Sequence, residues 1–221
     1  CILLQSYMSF RGVFNIKFPD RLYSNAKDYF QAYRKEHSRA MALIDVNLLE
    51  AAIDLFDNTY TQGSTAFVCG NGGSASIANH MVGDHGKIIQ TDTEIKAKVI
   101  SLCSNVEMMT AVANDISYNQ VFSYPLNSLG VSGDILLTIS GSGNSKNIIE
   151  AILAAKKLDM KVISFTGFSG GESAELADIN VHVSSKNYGV IEDIHQSLMQ
   201  IISQFIRMKY MKSELIALRK F

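Results

Sequence analysis

From Thr65 onward the apolar residues come in short, nearly continuous runs: TAFVCG, KAKVISLC, DILLTIS, KVISFTG and INVHVS, each bounded by turn residues. Between them the apolar positions recur at helical spacing, over about Ser74 to Ile89, Val106 to Ile116, Asn144 to Leu158 and a short stretch from Glu172 to Ala177. A strand buried on both faces reads as an unbroken apolar run, whereas a half-exposed strand alternates. Five such runs separated by helices predict an α/β protein, a five-stranded parallel sheet with helices on both faces.

Upstream, helical spacing over Lys27 to Ala42 precedes a second helix. Asp45 is placed to cap it, and Val46, Leu49, Ala52, Ile53 and Phe56 form its buried side. Residues 1–44 are therefore assigned to an N-terminal extension and helix, and 45–221 to one domain. The segment after Gly189 carries Ile191, Ile194, Leu198, Ile201, Ile202, Phe205 and Met208 on one broad face. It predicts a long terminal helix packed on the body or on a partner subunit.

Composition narrows the classes. A chain of 221 residues with 47% hydrophobic residues buries one substantial core. A formal charge of −1 gives no electrostatic case for nucleic acid as partner. The basic cluster Arg207, Lys209, Lys212, Arg219 and Lys220 is expected to be a solvated helix face. No stretch approaches the roughly twenty apolar residues of a membrane helix, so no membrane partner is expected. Cys1, Cys69 and Cys103 have no paired spacing and fit reduced thiols and a cytoplasmic location. The chain opens on Cys1 rather than methionine, and the expectation is an upstream extension or a truncated start, with Met8 as a candidate first residue.

Two loops carry the candidate chemistry. Gly70-Asn71-Gly72-Gly73-Ser74 follows the first strand, and Ser140-Gly141-Ser142-Gly143-Asn144-Ser145 follows the third. Glycines let the backbone approach a ligand, the N–H groups of the helix beyond favour an anion, and serine hydroxyls donate to phosphate oxygens. A dinucleotide site would need an acidic residue closing the second strand, which ends instead Leu102-Cys103-Ser104-Asn105. A P-loop would need Gly-Lys-Ser/Thr, which neither loop has. The hydroxyl-rich second loop suits a monophosphate ester.

The blocks CGNGGSASIANHMVGDH, ANDISYNQVFS, ISGSGNSKNIIEAILAAKKLDMKVISFTG and VIEDIHQSLMQII, in this order and spacing, resemble the sugar isomerase (SIS) domain. The resemblance is to the phosphoheptose isomerase branch and runs from about Asp45 to Phe205. It implies a flavodoxin-like three-layer sandwich, a homotetramer with active sites at subunit interfaces, and a sugar phosphate as ligand. It also implies conversion of sedoheptulose 7-phosphate to D-glycero-D-manno-heptose 7-phosphate, an aldose–ketose isomerisation. By motif, Ser140, Ser142 and Ser145 would hold the phosphate, with Asn71, Gly72 and Ser74 near the sugar and Gln200 a further substrate-binding candidate; Asp115 either contacts the sugar or only ends its helix in an Asn-Asp turn.

Moving a proton between adjacent carbons through an enediol needs a base, an acid and a group that polarises the carbonyl. His80 and Asp84 share a helix face at i, i+4, and Glu192 and His195 do so at i, i+3. Asp84 is assigned as base, with Glu192 or His195 as its partner. The family usually has glutamate at Asp84, glutamine at Glu192 and aspartate at Gly189. Gln200 stands where the branch carries its second catalytic histidine, and an amide cannot shuttle protons at neutral pH. Either Glu192 has taken over that task or the chain no longer isomerises heptose phosphates. In the latter case it is a SIS-fold module that binds sugar phosphate or protein, resembling the initiator-associating proteins of bacterial replication. Some relatives bind zinc at the positions of His80, Asp84, Glu192 and Gln200, a set harder than zinc usually selects. His182 is expected to be a structural or surface histidine, and Tyr188 to pack as an aromatic beside the pocket.

Overall fold

The computed structural model describes residues 17–221, so the assignments for Cys1 and Met8 lie outside the described residues. Strands β1 (Thr65–Gly70), β2 (Lys98–Ser101), β3 (Ile135–Ser140), β4 (Lys161–Thr166) and β5 (Ile179–His182) form one sheet in the order β2-β1-β3-β4-β5, every pair parallel. This is the flavodoxin-like order. Its direction of winding reverses between β1 and β3, so the loops after those two strands diverge and leave a crevice at their carboxyl ends.

Helices α1 (Ala26–Ala42), α2 (Val46–Thr61), α3 (Gly73–Gly83) and α8 (Tyr188–Tyr210) group together on one side, and α4 (Val106–Asp115), α5 (Ser123–Leu129), α6 (Lys146–Lys157) and α7 (Gly171–Leu176) on the other. Right-handed crossovers produce this division in a sheet of this order. The central strands are buried throughout: every residue of β3 is inaccessible or nearly so, while edge strand β2 is largely open. Phe67, Leu136, Leu137, Ile139 and Phe165 from the sheet meet Phe56, Met81, Ile148, Ile152, Ile194 and Leu198 from the helices. Burying one such side chain stabilises the fold by about 1.5–3 kcal/mol.

Asp45 caps α2 as its position implies, accepting from the Asn47 and Leu48 N–H groups at 2.9 and 3.3 Å. Elsewhere the structure departs from the expected pattern. The helix from Ser74 to Ile89 is two pieces, α3 and a π-helical turn over Asp84–Ile88. The hydrophobic repeat continues through the junction, so periodicity cannot reveal the change of hydrogen-bond register. Helix α5 and a single 3-10 turn at Tyr118–Gln120 lie where no element is expected. Both are too short to show a period, and Pro125 sits within the first turn of α5.

The terminal helix ends at Tyr210. Met211 is extended, and a short α9 (Ser213–Ile216) follows. Its inward face carries Ile191, Ile194, Leu198 and Ile202, but Ile201 is half-buried and Phe205 and Met208 are exposed in this chain. The basic cluster is not a uniformly solvated face. Arg207 is buried and pairs with Asp92 at 3.0 Å, Arg219 reaches the same carboxylate at 2.9 Å, and Lys209 pairs with Asp57 at 2.6 Å. Cys69 and Cys103 are free and buried. Among the described residues no helix is long and apolar enough to cross a membrane.

Candidate active site

The crevice between β1 and β3 holds a cavity of about 210 Å³, lined by Asn71, Ser74, Ser140, Gly141, Ser142, Ser145, Tyr188 and Glu192, with Ile139 at its base. A larger cleft of about 320 Å³ lies between the residues before α1 and α1 itself, but it is not at the strand ends. The two loops singled out in the sequence therefore form one site.

Each loop is built to leave donors free. Ser145 is the N-cap residue of α6 yet makes no side-chain capping bond, so its hydroxyl is available to the cavity. Gly72 precedes α3 without a side-chain cap, and Ser74 is buried at the cavity wall. Two helix N-termini thus converge on the space, where their positive ends and unpaired N–H groups favour an anion. Among the described residues no lysine or arginine lines it. Its turn is held from below: the Gly143 N–H donates to the Ser140 hydroxyl at 3.2 Å, and the Ser173 N–H and hydroxyl both donate to the Gly143 carbonyl at 2.9 Å. Gly143 has φ +66, and a Cβ there would run into the Gly170 carbonyl, so only glycine fits.

Asn147, on the first turn of α6, was not among the sequence candidates, yet it bonds Asn71 in both directions at 2.9 and 2.8 Å. Tyr118 adds its hydroxyl to the Asn71 side-chain oxygen at 3.1 Å. An amide buried in an otherwise apolar helix face was the available signal for Asn147. Tyr188 does both things asked of it, lining the cavity and packing on the Phe168 ring at 4.6 Å between centroids.

Helices α3 and α8 run side by side away from the cavity, with Glu192, Gln196 and Gln200 on one stripe of α8 at i, i+4 and i+8. Glu192 lies over the first turn of α3, where a Cβ on Gly73 would stand 2.7 Å from its carboxyl carbon. Burial, with the Asp193 charge beside it, raises its pKa. Next along the seam, the Gln196 amide faces His80 Nδ1 at 3.4 Å. Last, His80 Nε2 meets Asp84 Oδ2 at 2.9 Å, and the Gln200 amide N–H donates to the same carboxylate oxygen. The Asp84 side chain is mostly covered, and His80 is half open to solvent.

Two expected partners of Asp84 are not brought to it. Glu192 stands two turns of α8 away from Gln200, about 12 Å along the helix axis. His195 is fully buried against the Phe165 ring, with Nε2 on the Thr166 carbonyl at 3.1 Å, because i+3 from Glu192 already turns into the sheet. Burial pushes its pKa down to about 4. Asp115 ends α4 on an exposed surface, bonded to Asn114 at 2.7 Å, and does not line the cavity. His182 is half-buried and faces the Thr166 hydroxyl at 3.0 Å, a structural place as expected.

The zinc set His80, Asp84, Glu192 and Gln200 does not converge in this chain. Glu192 is at the far end of the seam, and the Gln200 oxygen is turned toward Gln204, at 3.5 Å. Among the described residues no three His, Cys, Asp or Glu side chains come together as a metal would require. The residues present do not fit a resident zinc within one chain.

The flavodoxin-like sheet thus has a hydroxyl-lined cavity at its switch point, with a carboxylate and imidazole pair farther along the α3–α8 seam. Residues 28–167 match the SIS domain model, more than half of the chain, and the chain belongs to the SIS-domain family. It is 42% identical over 151 residues to the phosphoheptose isomerase of Dechloromonas aromatica, covering 66% of this chain and 76% of that one. It is 33% identical over 180 residues to the phosphoheptose isomerase of Campylobacter concisus, covering 81% and 94%. Among solved structures, the phosphoheptose isomerase of Neisseria gonorrhoeae superposes with TM-score 0.74 at 30% identity over 81% of this chain and 95% of that one. That of Francisella tularensis superposes with TM-score 0.75 at 30% identity over 82% and 98%.

Proposed function

We propose that the protein is an aldose–ketose isomerase that converts sedoheptulose 7-phosphate to D-glycero-D-manno-heptose 7-phosphate through an enediol. The carrying observation is the cavity where four serines and two helix N-termini meet, with Asp84 and His80 farther along the same helix seam. The phosphate takes the cradle at Ser74, Ser140, Ser142 and Ser145. Neutral donors and helix ends balance its charge in place of a cation. Glu192 and Asn71, on the cavity wall, bond hydroxyls of the sugar next to the phosphate.

The sugar is held by its phosphate, with its carbonyl end turned toward Asp84. Asp84 then takes the proton from C1 of the ketose as the carbonyl electrons move to O2. His80, 2.9 Å from Asp84, is the group in reach to carry a proton to O2 and give the enediol. Return of a proton to C2 and loss of the O1 proton complete the aldose. Gln200 orients the carboxylate through its amide N–H. No step runs through a metal, since the donor set does not converge.

The active form is a homotetramer with the site closed at subunit interfaces. Exposed apolar side chains on α2 and α8, Val46, Phe205 and Met208, support this reading.

Incubation with sedoheptulose 7-phosphate in D2O tests the proposal. It expects aldose product with solvent deuterium at the reacting carbon, both lost in Asp84→Asn. Binding of the sugar phosphate with neither product nor deuterium uptake would overturn it in favour of the non-catalytic SIS module.

A further inference from the structure

The π-helical turn that carries Asp84 also carries His85, which is fully buried, unlike its neighbour. His85 Nδ1 faces the Tyr60 hydroxyl of α2 at 2.7 Å, and Nε2 faces the Met199 carbonyl of α8 at 3.2 Å. A carbonyl only accepts, so Nε2 carries the hydrogen and Nδ1 accepts from Tyr60. Burial holds the ring neutral, with a pKa of about 4, and keeps the Tyr60 proton in place. The rings of Phe56 and Tyr60 close on the imidazole edge-on at 5.4 and 5.9 Å.

The consequence lies in the sequence neighbours. Asp84 and His85 are consecutive, and so are Met199 and Gln200. His85 bonds Met199 while Gln200 bonds Asp84, so two adjacent residues of the turn are tied to two adjacent residues of α8. In a regular α-helix, consecutive side chains diverge by about 100°. The wider π turn, a feature that recurs at functional sites, lets both reach one helix.

We propose that His85 is a positioning residue, a strap that fixes the π turn against α8 and thereby aims the Asp84 carboxylate. It touches no substrate and lies outside the cavity. The assignment of chemistry to Asp84 rests on the isomerase reading above, whereas the strap itself does not.

The test uses the full chain with Tyr60→Phe, which removes one hydroxyl at nearly constant volume, and His85→Leu, which removes both bonds. Each is assayed at a temperature where circular dichroism shows it as fully folded as the parent. The expected result is a kcat on sedoheptulose 7-phosphate lowered tenfold or more in His85→Leu and less in Tyr60→Phe, with KM within twofold. Amide hydrogen exchange of residues 84–89 should accelerate while that of 140–149 stays unchanged. If His85→Leu does not fold, Tyr60→Phe alone carries the comparison. Parental kcat, a KM that rises instead, or unchanged exchange at 84–89 overturns the strap. If the parent protein has no turnover, the isomerase reading fails and the exchange measurement alone decides the strap.

Discussion

Asn71 and Asn147 exchange two amide hydrogen bonds, at 2.9 and 2.8 Å, and so lock the loop after β1 to the first turn of the helix after β3. The pair holds the two halves of the anion cradle at a fixed separation. Asn147 is almost wholly buried, so replacing it by leucine leaves the Asn71 amide nitrogen without its acceptor, while Tyr118 still donates to the Asn71 oxygen. A buried polar group left unpaired costs about 1–3 kcal/mol. Asn147→Leu should lower the melting temperature and raise the Kd for the sugar phosphate about tenfold, read by calorimetry. Unchanged affinity would show that the loops keep their spacing without the pair.

Ser145 offers the opposite combination. Its hydroxyl makes no capping bond, so Ser145→Ala removes nothing from the folded chain that α6 uses. The melting temperature should stay within about 1 °C, well under the shift expected from losing a working N-cap. Phosphate-ester binding should weaken about tenfold, the size of one charge-assisted bond. Loss of stability with affinity kept would move the phosphate elsewhere.

The five apolar runs and the two glycine–serine loops were legible in the sequence because each obeys a local rule, unbroken apolar burial in one case and turn chemistry in the other. Asp84 and His80 were legible as an i, i+4 pair and are in contact. What periodicity could not show was the π turn, because a change of hydrogen-bond register leaves the hydrophobic pattern intact. Nor could it separate Glu192 from His195. Both lie on one broad side of α8, but the sheet underneath covers His195 and leaves Glu192 at the rim. Arg207 looked like part of a solvated cluster because its partner, Asp92, is far away in the chain.

Buried His195 makes acid stability titratable. Its folded pKa is about 4 against an ordinary 6.5, so the unfolded chain takes up a proton first as the pH falls. The stabilisation is whole above pH 6.5 and is lost as the pH drops toward 4. Per proton the slope is about 1.4 kcal/mol per pH unit. His195→Gln keeps a donor for the Thr166 carbonyl and removes the titration. Urea midpoints should therefore fall less steeply for the variant between pH 6.5 and 4. Its kcat should stay within about fivefold of the parent, since the ring lies beneath the cavity; a loss of a hundredfold or more would return His195 to the chemistry.

Glu192 works in the other direction. Burial and Asp193 raise its pKa above the ordinary 4.5, so the unfolded chain ionises first as the pH rises. Below 4.5 both states are protonated and the contribution is whole. Its stabilising contribution to the protonated fold is lost as the pH climbs through the raised value. Glu192→Gln should therefore melt higher than the parent at pH 7.5, with the gap closing toward pH 4.5. Calorimetric scans across that range check the sign, and a gap that widens in acid would contradict it.

Gln200 is the last residue on which the reading turns. Its amide bonds Asp84 but cannot carry a proton, so in the proposed mechanism the enediol oxygens depend on His80, which stands half open to solvent. Gln200→His would put an imidazole on the covered side of the same carboxylate. A positioned acid–base group contributes typically about 10²–10⁴-fold, and a pocket already furnished with a base should recover part of that. The expected outcome is a kcat for sedoheptulose 7-phosphate raised about tenfold or more. The pH profile of kcat should gain a limb near the imidazole pKa of about 6.5. With KM unchanged, that combination would identify proton delivery as the step the amide leaves slow. A flat response, with binding intact, would mean that His80 and Asp84 already supply the proton transfers and that Gln200 serves only to aim the carboxylate.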